Sequence, residues 1–132
     1  MIPILSNTEL LQKTLTPVWN SKKSIGFVPT MGALHKGHLS LLEESKKQND
    51  ICVISIFVNP LQFGENEDLE AYPRRLHEDV ASAMEHGADF VFAPNVDSFY
   101  TDSHQTYIHN KQISDLYCGA YREGHFEGVL TV

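Results

Sequence analysis

The chain has 132 residues, of which 42% are hydrophobic and 20% charged, a composition typical of a single globular domain that excludes an intrinsically disordered chain. Seventeen Asp and Glu residues against ten Lys and Arg give a formal net charge of −7, so the chain lacks the overall basic character with which proteins hold a nucleic-acid backbone. A phosphate-containing ligand would therefore have to be bound by a local group of residues.

No segment is predicted to cross a membrane or to direct secretion. The longest apolar run, residues 51–58, has eight residues and contains Ser55, whereas a spanning helix needs about 20. The N-terminus has no basic residue before Lys13, unlike a secretory signal. One of the two cysteines, Cys52 and Cys118, lies inside the apolar run. We therefore expect no disulfide, a reduced cytoplasmic protein, and partners that are neither nucleic acid nor membrane.

Hydrophobic spacing predicts alternating helices and strands over the first 93 residues. In chain order these are a helix over 8–18 that ends near Pro17, a strand over 24–28 closed by Pro29, a helix over 38–48, a strand over 51–58, a helix over 75–86 ending at Gly87, and a strand over 89–92. The strand over 51–58 is apolar along nearly its whole length, as parallel strands covered on both faces are. The alternation predicts an α/β doubly wound fold.

The pattern is weaker in the remaining segments. Residues 59–70 contain Pro60, Gly64 and four acidic residues, which predicts a loop long enough to move over a site. Farther along we expect a strand over 106–109, a helical turn over 112–117, a glycine-containing loop over 119–128 and a buried segment that begins in 128–132. No cap or polar tail follows Val132, so we expect the fold to be truncated within an element.

The segment of residues 29–40, PTMGALHKGHLS, follows a predicted strand and leads into a predicted helix. Ligands of open α/β sheets bind at the carboxyl ends of strands, and a helix starting near Gly37 would aim N–H groups and its dipole at a phosphate there. His35 and His38 could contact a triphosphate and stabilise charge on a departing pyrophosphate. The same spacing is also typical of a helix cap or of solvated residues, and a zinc site is a third option that no nearby cysteine pair or third histidine supports.

Three blocks follow one another in the sequence: GFVPTMGALHKGHLSL from Gly26, SIFVNPLQFGENEDLEAYPRRLHEDV from Ser55 and REGHFEGVLTV from Arg122. Together they resemble the pantothenate synthetase (pantoate–β-alanine ligase) family of the HIGH-motif nucleotidyltransferase superfamily. The resemblance implies that residues 1–132 are an N-terminal ATP- and pantoate-binding domain with a Rossmann-like doubly wound parallel sheet. It also implies a ligase that joins pantoate to ATP, releases pyrophosphate, and transfers the enzyme-bound pantoyl adenylate to β-alanine, giving pantothenate and AMP for coenzyme A biosynthesis.

The resemblance implies roles for individual residues. The ATP-binding segment would be Met31, Gly32, Ala33, Leu34, His35, Lys36, Gly37 and His38. Within it His38 would be the proton donor and His35 would help to bind the phosphates. Gln62 would bind pantoate and take part in the β-alanine site, assisted by Asn59, and His125 would lie near the β-alanine pocket.

The remaining site expectations concern charge. Asp79 would help to hold a magnesium ion that neutralises the triphosphate, or else be an ordinary solvated carboxylate. Arg74 would pair with phosphate or with Glu78 four residues on. The small-molecule partners would be ATP as substrate with Mg²⁺, pantoate and β-alanine, and the protein would form a homodimer with the region of residues 51–58 or its neighbours near the interface.

The sequence departs from the family pattern in two ways. Cys118 stands where the family often has Glu, and Glu123 replaces a proline. The family's later GxKDxQQ-like and SSRN segments do not occur in these 132 residues, so we expect half a site with weak nucleotide binding at best. The alternatives are another nucleotidyltransferase such as a cytidylyltransferase, against which FVNPLQFG argues, and a non-catalytic nucleotide-binding or dimerisation fragment.

Overall fold

The computed structural model describes residues 2–64, 67–112, 114 and 116–132. The chain divides into two compact units, one comprising Met1–Val58 and Pro73–Phe99 and the other Asn59–Tyr72 and Tyr100–Val132. Within the described residues, the strands all belong to the first unit.

The first unit is built on a four-stranded sheet in the order β1-β4-β3-β2. The strands are β1 Ile4–Leu5, β2 Ile25–Thr30, β3 Ile51–Ile56 and β4 Phe90–Phe92. Every neighbouring pair is parallel, and the β2–β3 register runs from Ile25 opposite Ile51 to Thr30 opposite Ile56. The carboxyl ends of β2 and β3 are therefore level, so the loops that follow them start at the same edge of the sheet.

Helices cover both faces of the sheet. Side chains of a strand alternate between faces, and in β3 Ile54 packs in a cluster with Leu42 and Ala83, which belong to α2 Lys36–Gln48 and α3 Leu76–Glu85. Val53 packs instead with Leu5, Phe92 and residues of α1 Thr8–Asn20 and α4 Val96–Phe99. The α/β doubly wound parallel fold predicted from the sequence is confirmed.

Pro29 does not close β2, as the sequence predicted, but lies inside it. The carbonyl groups of Ser24 and Thr30 accept hydrogen bonds from the strand beside them, so the backbone groups of even-numbered residues face β3 and the nitrogen of Pro29 faces away. Because β2 is the last strand of this sheet, the missing N–H costs no ladder hydrogen bond. The position of a strand within a sheet is not encoded in its own residues, which is why the prediction was wrong.

Pro17 likewise fails to end α1, which continues to Asn20. A proline removes only its own N–H donor, whereas its carbonyl can still accept. Here the carbonyl of Pro17 accepts from Ser21 at 3.1 Å, and the last turn forms around it. Gly87 was placed correctly: it follows α3 with φ of +94°, the left-handed conformation that glycine adopts without steric cost.

The second unit contains two 3₁₀ turns, Pro60–Gln62 and Tyr117–Ala120, and the helix α5, His125–Thr131. Three predictions for this part of the chain are wrong. Residues 106–109 form no strand, because the backbone N–H of Ile108 bonds the hydroxyl of Thr131 rather than a neighbouring strand. The loop predicted over 119–128 is helical at both ends, and in the predicted buried segment Gly128 is buried whereas Val129 and Leu130 are exposed.

Two predictions remain, one for residues 112–117 and one for the two cysteines. The helical turn over 112–117 falls partly on residues 113 and 115, outside the described residues. Cys52 and Cys118 are free thiols, the first buried and the second exposed. Across the described parts of the chain, no helix combines the length and apolar character needed to span a membrane.

Candidate functional site

The predicted nucleotide segment ends in a helix cap made of two histidines. His35 is the N-cap of α2, and its Nδ1 accepts a hydrogen bond from the backbone N–H of Gly37 at 3.1 Å. The backbone N–H of His35 in turn donates to Nδ1 of His38 at 3.4 Å, and the ring centroids lie 4.0 Å apart. The pair forms a reciprocal capping box, in which imidazoles occupy the places usually held by Ser or Thr and Glu or Gln.

This cap fixes the tautomer of both rings. An Nδ1 that accepts a hydrogen bond carries no hydrogen, so the neutral rings of His35 and His38 carry theirs on Nε2. Burial lowers the pKa of His38 below its ordinary value of 6.5; charge on His35 adds to this, and the Asp79 carboxylate opposes it. His38 is therefore mainly neutral at pH 7 and has Nε2–H as its donor.

Asp79, on α3, holds the loop between β2 and α2. Its Oδ1 accepts from the backbone N–H of Leu34 at 2.8 Å and its Oδ2 from that of Ala33 at 2.9 Å. The residue is only 5% exposed, so it is not the solvated carboxylate that the sequence allowed as an alternative. Gly32 and Ala33 both have positive φ, 85° and 52°, and a Cβ at Gly32 would lie 3.0 Å from Oδ2 of Asp79.

A cavity of 310 Å³ opens at the carboxyl ends of the strands in the first unit. Met31 and Gly32 of the nucleotide segment line it, together with Phe57, Arg74, Asp79 and Asn95. Its position is the one at which open α/β sheets bind ligands. The carboxylate of Glu78 is 3.8 Å from Arg75, so Arg75 is an ion-pair partner of Glu78. For Arg74 the sequence allowed either Glu78 or a phosphate as partner.

In the second unit Asn59 brings four groups together. It is completely buried, and its Oδ1 accepts from the backbone N–H of Leu61 at 3.2 Å and from the hydroxyl of Tyr100 at 3.0 Å. Its Nδ2 donates to Oε1 of Gln62 and to the carbonyl of Gly128, both at 3.0 Å. The amide of Gln62 is thereby oriented with its oxygen toward Asn59, which leaves Nε2 as its donor for a ligand.

His125 contacts the backbone of Gln62 in the same unit. Its Nδ1 donates to the carbonyl of Gln62 at 2.8 Å, and its Nε2 is 3.2 Å from Nη1 of Arg122. Arg122 also forms an ion pair with Glu67, and the pKa of the Glu67 carboxyl is lowered chiefly by this hydrogen bond and also by the N–H of Gly64. The structure thus joins Asn59, Gln62 and His125, all three predicted from the sequence.

Sequence reasoning missed three residues of this cluster. The ion pair of Arg122 and Glu67 could have been suspected from the sequence, because these opposite charges lie in two of the blocks that the resemblance identified. Tyr100 carried none, because nothing in the neighbouring sequence links it to an amide 41 residues away. The predicted residues 31–38 and Asp79 lie in the first unit, whereas Asn59, Gln62 and His125 lie in the second.

The described residues do not form a metal site by themselves. Among them, no three His, Cys, Asp or Glu side chains are grouped so that they could hold a metal ion. Both oxygens of Asp79 already accept backbone N–H groups. The zinc option for the histidines is not supported, and magnesium coordination by Asp79 stays a prediction.

Comparison with known proteins gives one consistent family. A profile of pantoate-beta-alanine ligase matches residues 3–132. The pantothenate synthetase of Thermosipho africanus is 50% identical over 129 residues, which is 98% of this chain and 46% of that protein. The pantothenate synthetase of Caldicellulosiruptor saccharolyticus is 56% identical over 110 residues, 83% of this chain and 39% of that protein. The chain therefore spans less than half the length of these relatives.

Solved structures agree. The crystal structure of pantothenate synthetase from Thermus thermophilus has a TM-score of 0.90 and 42% sequence identity over 98% of this chain and 46% of that one. The pantoate-beta-alanine ligase from Francisella tularensis, complexed with beta-gamma ATP and beta-alanine, has a TM-score of 0.87 and 38% identity over 99% of this chain and 50% of that one.

Proposed function

The chain belongs to the pantoate–β-alanine ligase family, and on this premise we propose that it carries the ATP-binding part of an enzyme that condenses pantoate with β-alanine. In the first step the pantoate carboxylate attacks the α-phosphorus of ATP and pyrophosphate leaves with the electrons of the broken P–O bond. In the second step the amine of β-alanine attacks the activated carbonyl, and AMP departs as pantothenate forms.

The histidine-capped start of α2 is the observation that carries this proposal. An anion at a helix N-terminus is stabilised by the helix dipole and by backbone N–H groups. His35 and His38 add an Nε2–H donor each, because their Nδ1 atoms are occupied by the backbone. We assign residues 31–38 to ATP binding, and His38 to donating a hydrogen bond through Nε2, or a proton when its ring is protonated, to the phosphate oxygen that gains charge as pyrophosphate leaves.

The amide cluster of the second unit supports the assignment of the other substrates. Gln62 offers Nε2 as a hydrogen-bond donor, which suits a carboxylate or hydroxyl of pantoate without introducing charge. We assign Gln62 to pantoate and β-alanine, with Asn59 orienting it and His125 beside the β-alanine pocket. The Francisella tularensis ligase, complexed with beta-gamma ATP and beta-alanine, supports the choice of substrates.

The ligand set includes magnesium, which accompanies ATP and neutralises its phosphates. The triphosphate itself would supply ligands to the ion. We further propose a cytoplasmic homodimer, with residues 1–132 as the N-terminal domain of the fold. β3 is an interior strand of the sheet, so an interface would involve one of its neighbours, and light scattering of the purified chain tests for the dimer.

Pantoate-dependent exchange of labelled pyrophosphate into ATP tests the proposal on this 132-residue chain. With magnesium present, exchange above that of a His38→Ala control would place the first half-reaction within these residues. Exchange that is absent in a chain shown to be folded would contradict that assignment. The chain would then be a nucleotide-binding or dimerisation fragment.

A further inference from the structure

We propose that Asp79 is a positioning residue for the nucleotide segment: its carboxylate holds the backbone of Ala33 and Leu34 and thereby the histidine-capped start of α2. The proposal rests on the proposed function in one respect, the assignment of residues 31–38 to ATP. It assigns Asp79 a role that acts through the loop rather than through a metal ion.

The geometry is that of a two-point clamp. The two oxygens of one buried carboxylate each accept a backbone N–H, at 2.8 and 2.9 Å, from consecutive residues of a loop 45 and 46 positions earlier in the sequence. Hydrogen bonds to an ionised group are about twice as strong as neutral ones. At 5% exposure of Asp79, water cannot easily replace the carboxylate, so losing it would leave two partly buried donors unsatisfied.

The loop needs such a clamp because its backbone conformation is unfavourable. Ala33 has φ of +52°, a left-handed conformation that a residue with a Cβ rarely adopts and that persists only where the surroundings impose it. Leu34, held by the other oxygen, directly precedes the N-cap His35. Release of the clamp would let Ala33 relax and would displace the donors at the start of α2.

Amide hydrogen exchange measured by NMR tests the clamp without any nucleotide. In the wild-type chain we expect the N–H groups of Ala33 and Leu34 to be protected although they lie in a loop. Asp79→Asn keeps the size of the side chain but replaces one of the two acceptor oxygens with an NH₂ group, so the exchange of the N–H that faces it should accelerate by about 10-fold or more. Asp89→Asn is the matched control: Asp89 also accepts a backbone N–H, that of Cys52 at 2.7 Å, and its loss should leave the exchange at Ala33 and Leu34 unchanged.

A second substitution separates positioning from general destabilisation. Glycine adopts positive φ without steric cost, so Ala33→Gly in the Asp79→Asn chain should restore much of the lost protection of Leu34. A merely structural defect would not be repaired by this change of backbone preference in the loop. Unprotected amides at Ala33 and Leu34 in the folded wild-type chain would overturn the proposal, and this result needs no variant to fold.

ATP titrations at several magnesium concentrations connect the clamp to function. We expect Asp79→Asn to raise the ATP dissociation constant about 10-fold at saturating magnesium, with the half-saturating magnesium concentration unchanged and with recovery by Ala33→Gly. Equal ATP affinity in the variant, or a defect that excess magnesium abolishes, would overturn the positioning role. If the wild-type chain does not bind ATP, the proposed function fails for this chain, while amide exchange still decides whether Asp79 holds the loop.

Discussion

His38 combines two properties that its sequence position does not reveal. Its Nδ1 accepts from the backbone of His35, and its pKa is lowered by burial and by charge on His35, against the opposing effect of Asp79. The H-x-x-H spacing left a cap, a phosphate contact and a zinc site open, because spacing does not determine which ring nitrogen accepts. The structure shows the cap, and the cap leaves each Nε2–H as the available donor.

Substitution of His38 tests that role. Replacing it with Ala in the complete enzyme removes the Nε2–H donor, so we expect pantoate-dependent pyrophosphate exchange to fall by about 100-fold. His38→Gln restores an N–H donor on a side chain of similar reach and should lose less. Initial exchange rates measured at saturating ATP compare the three chains, and a near-normal rate for His38→Ala would remove His38 from the chemistry.

The lowered pKa of His38 predicts that the stability of the folded chain depends on pH. The neutral ring forms the cap, so a titration of the His38 ring followed by NMR should have its midpoint below 6.5. Between pH 6.5 and the lower pKa that His38 has in the folded chain, the ring binds more protons in the unfolded chain than in the folded one. The free energy of unfolding should therefore decrease as the pH falls through this range. Asp79→Asn removes the charge that raises the pKa of His38, so the midpoint of the His38 titration in this variant should lie lower still. A midpoint at or above 6.5 in the wild-type chain would contradict the lowered pKa.

At the scale of the elements, Gly128 of α5 determines how closely that helix approaches the turn Pro60–Gln62. A Cβ at Gly128 would lie 2.1 Å from the carbonyl oxygen of Leu61 and 2.7 Å from the nitrogen of Gln62. Both are backbone atoms that cannot rotate aside. The same glycine also supplies the carbonyl that accepts from Asn59, so the packing of α5 and the orientation of Gln62 depend on one another.

We therefore expect Gly128→Ala to lower the free energy of unfolding by about 3 kcal/mol, the upper range for forcing a methyl group into a packed site. Gly64→Ala is the matched control, since a Cβ there would meet only ordinary contacts at 3.9 Å. Urea unfolding of the two variants and the wild type measures the difference. Equal destabilisation by the two substitutions would show that α5 does not pack as the structure has it.

Sequence periodicity predicted the longer elements and the short strand β4, but not strand β1 or the turn Pro60–Gln62. Helices α2 and α3 and strand β3 were expected within a few residues of their observed bounds, because each is long enough to show a hydrophobic pattern. Strand β1 has two residues and the turn Pro60–Gln62 three, too few for any period. The wrong element ends at Pro17 and Pro29 have another cause: whether a proline is tolerated depends on neighbours outside its own segment.

At the scale of the whole molecule, family membership adds what local patterns could not. Residue spacing alone predicted an α/β fold and a phosphate site, whereas three blocks in series identified the ligase family that the comparisons confirm. Neither the residue spacing nor the three blocks predicted the contacts that hold the site, because Asp79 bonds Ala33 and Tyr100 bonds Asn59 across more than 40 residues. Such contacts follow from the tertiary fold, which brings distant segments together.

With a net charge of −7, the ATP binding that we propose for this chain would depend on local donors rather than on an overall field. Mapping the backbone amide shifts of the isotopically labelled chain during titration with magnesium and ATP measures this most directly. We expect saturable shifts concentrated on residues 31–38, and their loss in His38→Ala. Shifts confined to other residues, or none at millimolar ATP in a folded chain, would contradict the claim that the histidine-capped start of α2 is the nucleotide site.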